Sequence, residues 1–198
     1  MPFPSRKGLI LILSSPSGAG KTTLAKKISS TDENFKLSVS CTTRSPRSNE
    51  IEGVDYNFIK EDRFKKLLLE NKFLESALVF GNYYGTLKAP IEEELKKGKD
   101  FIFDIDWQGT EQVKKILKKD IVTVFIMPPS LEELEDRLRN REEKNFEFIK
   151  KRMMMAKEEI NHWKDYNYIL VNNEIENSFR SINQIIKIER EKRYNKFN

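Results

Sequence analysis

Five consecutive apolar residues, Leu9 to Leu13, run into Ser15-Pro16-Ser17-Gly18-Ala19-Gly20-Lys21-Thr22, after which Leu24, Ala25 and Ile28 take up helical spacing. An unbroken apolar run of strand length is the pattern of a strand covered on both faces. Phe101-Ile102-Phe103-Asp104 and Ile121 to Met127 repeat it, and Tyr168 to Val171 reads as another buried strand. Helices alternate with these runs. One opens at Ala89-Pro90 and stops at Lys97-Gly98, proline at its start and glycine past its end. Gln108 to Leu117 is a crossover helix. Ser130 and Glu133 form a capping box ahead of Leu131, Leu134 and Leu138. Ile149, Met153, Ala156, Ile160 and Trp163 mark the next helix, and Ile175, Phe179, Ile182 and Ile186 the last.

Between the first helix and Ala89 the pattern is mixed. Lys36 to Ser40 and Lys72 to Phe80 read as extended, while Phe64, Leu67 and Leu68 suit one face of a short helix. The alternation predicts an α/β chain with a mostly parallel sheet flanked by helices. At 198 residues it is one domain with room for a buried core.

Composition narrows this little. No apolar stretch approaches bilayer length, and the phosphate-loop pattern directly after Leu13 argues against a signal peptide built on Arg6, Lys7 and the first run. The single cysteine, Cys41, excludes an internal disulfide and fits a cytoplasmic location. The net charge of +5 is concentrated at residues 187 to 198, with five Lys or Arg against two Glu. A basic last helical turn suits the helix dipole, so the charge does not point to nucleic acid. His162, the lone histidine, reads as an ordinary helix residue.

The chemistry lies in Ser15 to Thr22. Small residues between a strand and a helix let backbone N–H groups turn onto phosphate oxygens. Gly18 and Gly20 permit the turn, Lys21 supplies a mobile positive charge, and the Thr22 hydroxyl suits Mg²⁺. Ser15 stands where the pattern G-x-x-x-x-G-K-[ST] has its first glycine. Asp104 ends an apolar strand, as a metal-orienting acid does, and Asp106 lies two residues further along the same face. Each also fits a strand-end cap.

A phosphate loop leaves ATPases, GTPases and many kinases open. The middle region is more specific. Arg44 and Arg47 are two guanidiniums in a hydroxyl-rich turn, Ser40-Cys41-Thr42-Thr43-Arg44-Ser45-Pro46-Arg47, suited to gripping a phosphate. Gly53 to Phe58 and Gly81 to Thr86 add tyrosine hydroxyls.

With SPSGAGKT, SVSCTTRSPR at 38–47, GVDYNF at 53–58, FLE at 73–75, GNYYGT at 81–86 and DIDWQG at 104–109, the chain resembles the guanylate kinase family, from about Leu9 to its final helix. The resemblance implies an ATP:GMP phosphotransferase with GMP and ATP as substrates, Mg²⁺ as cofactor, and no nucleic-acid or membrane partner. It leaves monomer and homo-oligomer equally open. It implies a P-loop kinase core at 1–36, 89–127 and 158–198, a small mixed α/β GMP-binding lobe at 37–88, and a helical lid at 128–157. ATP would meet Ser15, Pro16, Ser17, Gly18, Ala19, Gly20, Lys21, Thr22, Thr23 and Asn172, with Thr22 and Asp104 holding the metal. Ser40, Arg44, Arg47, Tyr56 and Tyr84 would hold the GMP phosphate, Gly85 would also border GMP, Glu75 and Thr86 would read guanine, and Asp106 would approach the GMP side as well as the metal.

Lys21, Arg44, Arg137, Arg141 and Arg152 would carry the catalytic charge. The lid departs from the family at Arg141-Glu142-Glu143-Lys144-Asn145-Phe146-Glu147, where glycine and threonine are usual after the arginine. Asn172-Asn173 likewise stands where Asn-Asp is usual. Two other classes share these motifs: a non-catalytic scaffold module, opposed by the intact Lys21-Thr22, and a P-loop kinase for another small molecule, opposed by Glu75 with Thr86.

Overall fold

The computed structural model describes residues 8–117, 121–141 and 146–194. Strands β1 (Ile10–Ser14), β2 (Phe35–Leu37), β7 (Asp100–Asp104), β8 (Ile121–Met127) and β9 (Tyr168–Val171) make one parallel sheet in the order β2-β7-β1-β8-β9. Strands β3 (Cys41–Thr42), β4 (Asn57–Phe58), β5 (Phe73–Val79) and β6 (Asn82–Leu87) make a second, mixed sheet in the order β4-β3-β6-β5.

The apolar run of β1 is buried because side chains alternate across a sheet covered on both faces. Leu9, Leu11 and Leu13 pack with Leu24, Ala25 and Ile28 of α1 (Lys21–Thr31) and with Ile182 and Ile186 of α7 (Ile175–Tyr194). Ile10 and Ile12 face the other way, against Phe101 and Phe103, Ile91 of α3 (Lys88–Lys96) and Val113 of α4 (Trp107–Leu117). A strand with helices on both sides, placed centrally, delivers its C-terminal loop to the middle of the sheet's upper edge.

In the second sheet, Phe64 of α2 (Glu61–Leu69) stacks on Phe73, with ring centroids 4.4 Å apart, and on Tyr83 at 5.2 Å. Cys41 belongs to this cluster, and burial pushes its thiol up to about 11, so it is a packing residue. Helices α5 (Leu131–Arg141) and α6 (Phe146–Ile160) pair through Leu134, Leu138, Ile149 and Ala156, and this cluster receives Ala19 of the phosphate loop.

Four expectations change. β9 is an edge strand rather than a buried one: among the described residues only β8 pairs with it, and Ile169 and Val171 are about half exposed. Leu68 lies off the buried face of α2. Trp163 belongs to a 3₁₀ turn over Asn161–Asp165 that follows α6, where His162 stacks on Trp107 with centroids 3.8 Å apart. The Ser130–Glu133 box is made in one direction. Ser130 Oγ accepts the Glu133 N–H at 3.1 Å, while the Glu133 carboxylate accepts from Arg137 Nε at 3.0 Å.

The basic C-terminal helix is partly structural as well. Arg190 donates to Asp100 Oδ2 from Nε and Nη2 at 3.0 and 2.6 Å and to Asp32 Oδ2 at 2.6 Å. Asp100 is fully buried and also accepts the Leu9 N–H at 2.6 Å, which ties α7 to the start of β1. Met1 to Lys7 and Lys196 lie outside the described residues.

Candidate active site

The strand-to-helix turn after β1 opens into a cleft of about 670 Å³. Gly18 and Gly20 both have φ near +95°, the left-handed region that favours glycine. At Gly20 space is an equal constraint, because a Cβ there would come within 2.4 Å of Asn172 Nδ2. Lys21 Nζ donates to the Ile105 carbonyl at 2.9 Å and lies 3.2 Å from Asp104 Oδ1. The ammonium is therefore held at the end of β7, beside the cleft. Thr22 and Thr23 are exposed, and both line the cleft with Ser15, Pro16 and Ser17.

Asn172 does not face this space. It is buried, its Nδ2 donates to the Ala19 carbonyl at 2.8 Å, and its Oδ1 accepts from the Ser178 hydroxyl at 2.7 Å. With both ends of the amide engaged it braces the loop from beneath, and it is not among the residues lining the cleft, whereas the sequence expectation sets it against ATP. Ala19 is also buried, against the α5–α6 pair.

The opposite wall comes from the second sheet. Ser40, Arg44, Arg47, Tyr56 and Tyr84 all line the cleft. Arg44 makes a two-point fork to Glu50 at 2.8 and 2.9 Å, and its Nε donates to Tyr84 Oη at 3.2 Å. Glu50 also accepts the Arg47 N–H at 2.8 Å and lies 3.6 Å from the Arg47 guanidinium. One acid thus sets the orientation of both arginines and leaves the cluster with a single excess positive charge, where the sequence reading had the two guanidiniums as a pair on their own. Burial alone would raise the Glu50 carboxyl, but the Arg44 and Arg47 contacts outweigh it and hold it below its usual range. Burial pushes the Tyr56 phenol upward, so it stays a donor.

Deeper in the cleft, Glu75 is only 4% exposed. Its carboxylate fits because position 109 is glycine, where a Cβ would meet Glu75 Oε2 at 2.7 Å. Thr86 donates its hydroxyl to Glu75 Oε1 at 2.6 Å, and Ser40 Oγ lies 2.9 Å from Thr86 Oγ1. The single Thr86 proton is used on Glu75, so Thr86 orients the carboxylate rather than presenting a donor to the cleft. Gly85 sits behind it, where a Cβ would crowd Phe73 at 2.9 Å. Burial pushes Glu75 up to about 7, the Thr86 hydrogen bond opposing and Asp106 adding.

Asp104 lines the cleft at the end of β7. Asp106 does not continue that strand. It caps α4, accepting the Gly109 N–H at 2.9 Å and the Gln108 amide at 3.3 Å, while still lining the cleft. Among the described residues no group of three or more His, Cys, Asp or Glu is arranged to hold a metal. A hydroxyl and one carboxylate, Thr22 and Asp104, do fit Mg²⁺, which commonly takes one or two protein ligands and completes its shell with phosphate oxygens and water.

From the helical pair, Arg137 and Arg152 line the cleft. Arg152 is nearly buried and donates to Ser17 Oγ at 2.6 Å. The side chain of Arg141 and residues Glu142 to Asn145 lie outside the described residues. Glu159 was missed by sequence reasoning. Seven residues after Arg152 on α6, it lines the cleft and accepts the Ser17 N–H, and burial pushes it up to about 7 despite the opposing pull of Lys21. The signal was available, since Arg152, Ala156 and Glu159 share one helix face.

The cleft thus has a glycine-rich strand-to-helix loop on one wall and an arginine–tyrosine cluster beside a buried acid on the other. The family model described as guanylate kinase matches residues 7–189. The guanylate kinase of Maricaulis maris is 50% identical over 188 residues, covering 95% of this chain and 86% of that protein. That of Rickettsia prowazekii is 48% identical, covering 95% of each. The crystal structure of guanylate kinase from Anaplasma phagocytophilum superposes with a TM-score of 0.80 at 38% identity, covering 94% of this chain and 88% of that one. With the family model spanning nearly the whole chain and close relatives matching it end to end, the chain belongs to the guanylate kinase family.

Proposed function

We propose that the chain transfers the γ-phosphoryl group of ATP to GMP, giving ADP and GDP. The observation that carries this reading is Glu75, a buried carboxylate oriented by Thr86 and sharing one cleft with Lys21. Ser17 to Thr23 receive the ATP phosphates. Ser40, Arg44, Arg47, Tyr56 and Tyr84 hold the GMP phosphate, and Glu75 takes the two guanine donors, N1–H and the N2 amino group. Asp106 borders the GMP side. Thr22 and Asp104 would hold Mg²⁺, which would supply positive charge to offset that of the ATP phosphates.

No side-chain nucleophile is needed. A GMP phosphate oxygen attacks the γ-phosphorus in line, and the bond to the ADP oxygen breaks. Lys21, Arg137, Arg141 and Arg152 stabilise the charge that spreads over the transferring group, while Arg44 and Arg47 screen the repulsion between the two anions. Residues 37–88 act as a GMP-binding lobe and 128–157 as a lid on a core formed by the rest. Their closure excludes water and so suppresses ATP hydrolysis. No helix among the described residues is long and apolar enough to cross a membrane, and a cytoplasmic location suits both substrates.

Arg44→Lys tests the acceptor end. Lysine keeps the charge and loses the fork, and charge-assisted hydrogen bonds are worth about 1.5–3 kcal/mol each. The KM for GMP should rise several-fold or more, with ATP binding little altered. Equal weakening of both substrates in steady-state kinetics would count against a separate acceptor phosphate site.

A further inference from the structure

The hairpin between β5 and β6 turns through two residues, Phe80 and Gly81, with Val79 paired to Asn82. Both have positive φ, +50° and +77°. Two-residue turns of this kind prefer Asn, Asp or Gly at the first position, because an L side chain is disfavoured in the left-handed region. Phenylalanine is a poor local choice, and an element that breaks its own turn rule points to a contact that compensates.

The ring of Phe80 reaches α6. Its centroid lies 5.7 Å from that of Phe148, and the Arg152 guanidinium carbon lies 5.1 Å from the Phe80 centroid and 4.7 Å from the Phe148 centroid. The same guanidinium donates to Ser17 Oγ of the phosphate loop. The hairpin of the second sheet, the α5–α6 pair and the phosphate loop therefore meet at one side chain.

We infer that Phe80 is a positioning residue which, with Phe148, holds the Arg152 guanidinium over the phosphate loop and thereby joins closure of the GMP lobe to closure of the lid. Two aromatic rings fix the guanidinium and displace water from it, which strengthens its attraction for a phosphoryl group. A contact that bridges the two parts couples them, and such coupling is reciprocal. GMP tightens ATP binding by the same factor as ATP tightens GMP. The inference rests on the proposed transfer to GMP.

Phe80→Asn tests it, because asparagine suits the turn and removes only the ring. The kcat should fall about tenfold or more, the scale of a desolvated cation–π contact, while GMP affinity measured without ATP stays within about threefold because Ser40, Arg44 and Glu75 are untouched. Calorimetric affinity for a non-hydrolysable ATP analogue, measured with and without saturating GMP, should lose its GMP dependence. Phe148→Ala should show the same loss, the double variant no more than either alone, and Phe80→Tyr should behave as wild type. Wild-type kcat with intact GMP dependence in Phe80→Asn, or additive losses in the double variant, would overturn the inference while leaving the proposed activity standing. Absence of GMP phosphorylation by the wild-type chain would overturn both.

Discussion

Lys21→Met is expected to lower kcat by roughly a hundredfold or more at saturating ATP and Mg²⁺, the scale seen when a preorganised electrostatic donor is removed. The ammonium is held at the end of β7 by the Ile105 carbonyl and Asp104, so it needs little rearrangement to meet a phosphate seated on the loop. Its attraction is greater for the charge that spreads during transfer than for ground-state ATP, so the loss falls on kcat more than on KM. The fold should be nearly unaffected. Asp104 borders the open cleft, so water can replace its partner when the ammonium is removed. The pair of measurements is kcat and thermal midpoint. A near-normal kcat would contradict the role assigned to Lys21.

Glu75→Gln is expected to weaken GMP and narrow the gap to AMP. An ionised carboxylate can accept both guanine donors, whereas adenine would turn its unprotonated N1 toward the same lone pairs and leave a buried charge unpaired. Sites built on such hydrogen bonds reject the wrong ligand by about 10⁴–10⁵. Glutamine offers one acceptor and one donor, so the GMP-to-AMP ratio of kcat/KM should drop by at least roughly tenfold, a fraction of that range. An unchanged ratio would move the guanine-reading role elsewhere.

The same variant has a pH signature. Burial pushes Glu75 up to about 7, and guanine needs its ionised form. In the wild type, kcat/KM for GMP should fall as pH drops through about 7, and this limb should be absent from Glu75→Gln. The second ionisation of a phosphate monoester, near 6, affects both enzymes alike. Stability moves the opposite way. The folded carboxyl binds a proton more tightly than the unfolded one, so between its ordinary value of 4.5 and about 7 the native state holds more protons. The contribution of Glu75 is most favourable at the acid end of that window and declines as pH rises through it.

How much was legible in the sequence depended on whether the chemistry is local. Ser15 to Thr22 is one continuous segment whose residue types each answer a phosphate's needs, and β1, β7 and β8 announced themselves as unbroken apolar runs. Sheet order is not written in such runs, so β9 looked buried when, among the described residues, it pairs along one edge alone. Glu50 and Glu159 were missed because their partners, Arg44 and the Ser17 N–H, are defined by loop closure and helix docking rather than by a motif. Asn172 and Thr86 carry functional-looking groups whose hydrogen bonds turn out to be internal, one bracing the loop and the other aiming Glu75. Asp106 has the spacing of a strand residue, but the strand ends at Asp104 and α4 begins at Trp107, which makes it a cap.

The most direct test is ATP-dependent conversion of GMP to GDP by the purified chain, followed by a coupled assay with AMP, UMP and CMP as alternative acceptors. A cleft with Glu75 at its base and Lys21 at its phosphate end predicts rapid transfer to GMP and little to the other three. Equal rates with AMP, or no transfer to GMP with Mg²⁺ and ATP at saturation, would contradict it.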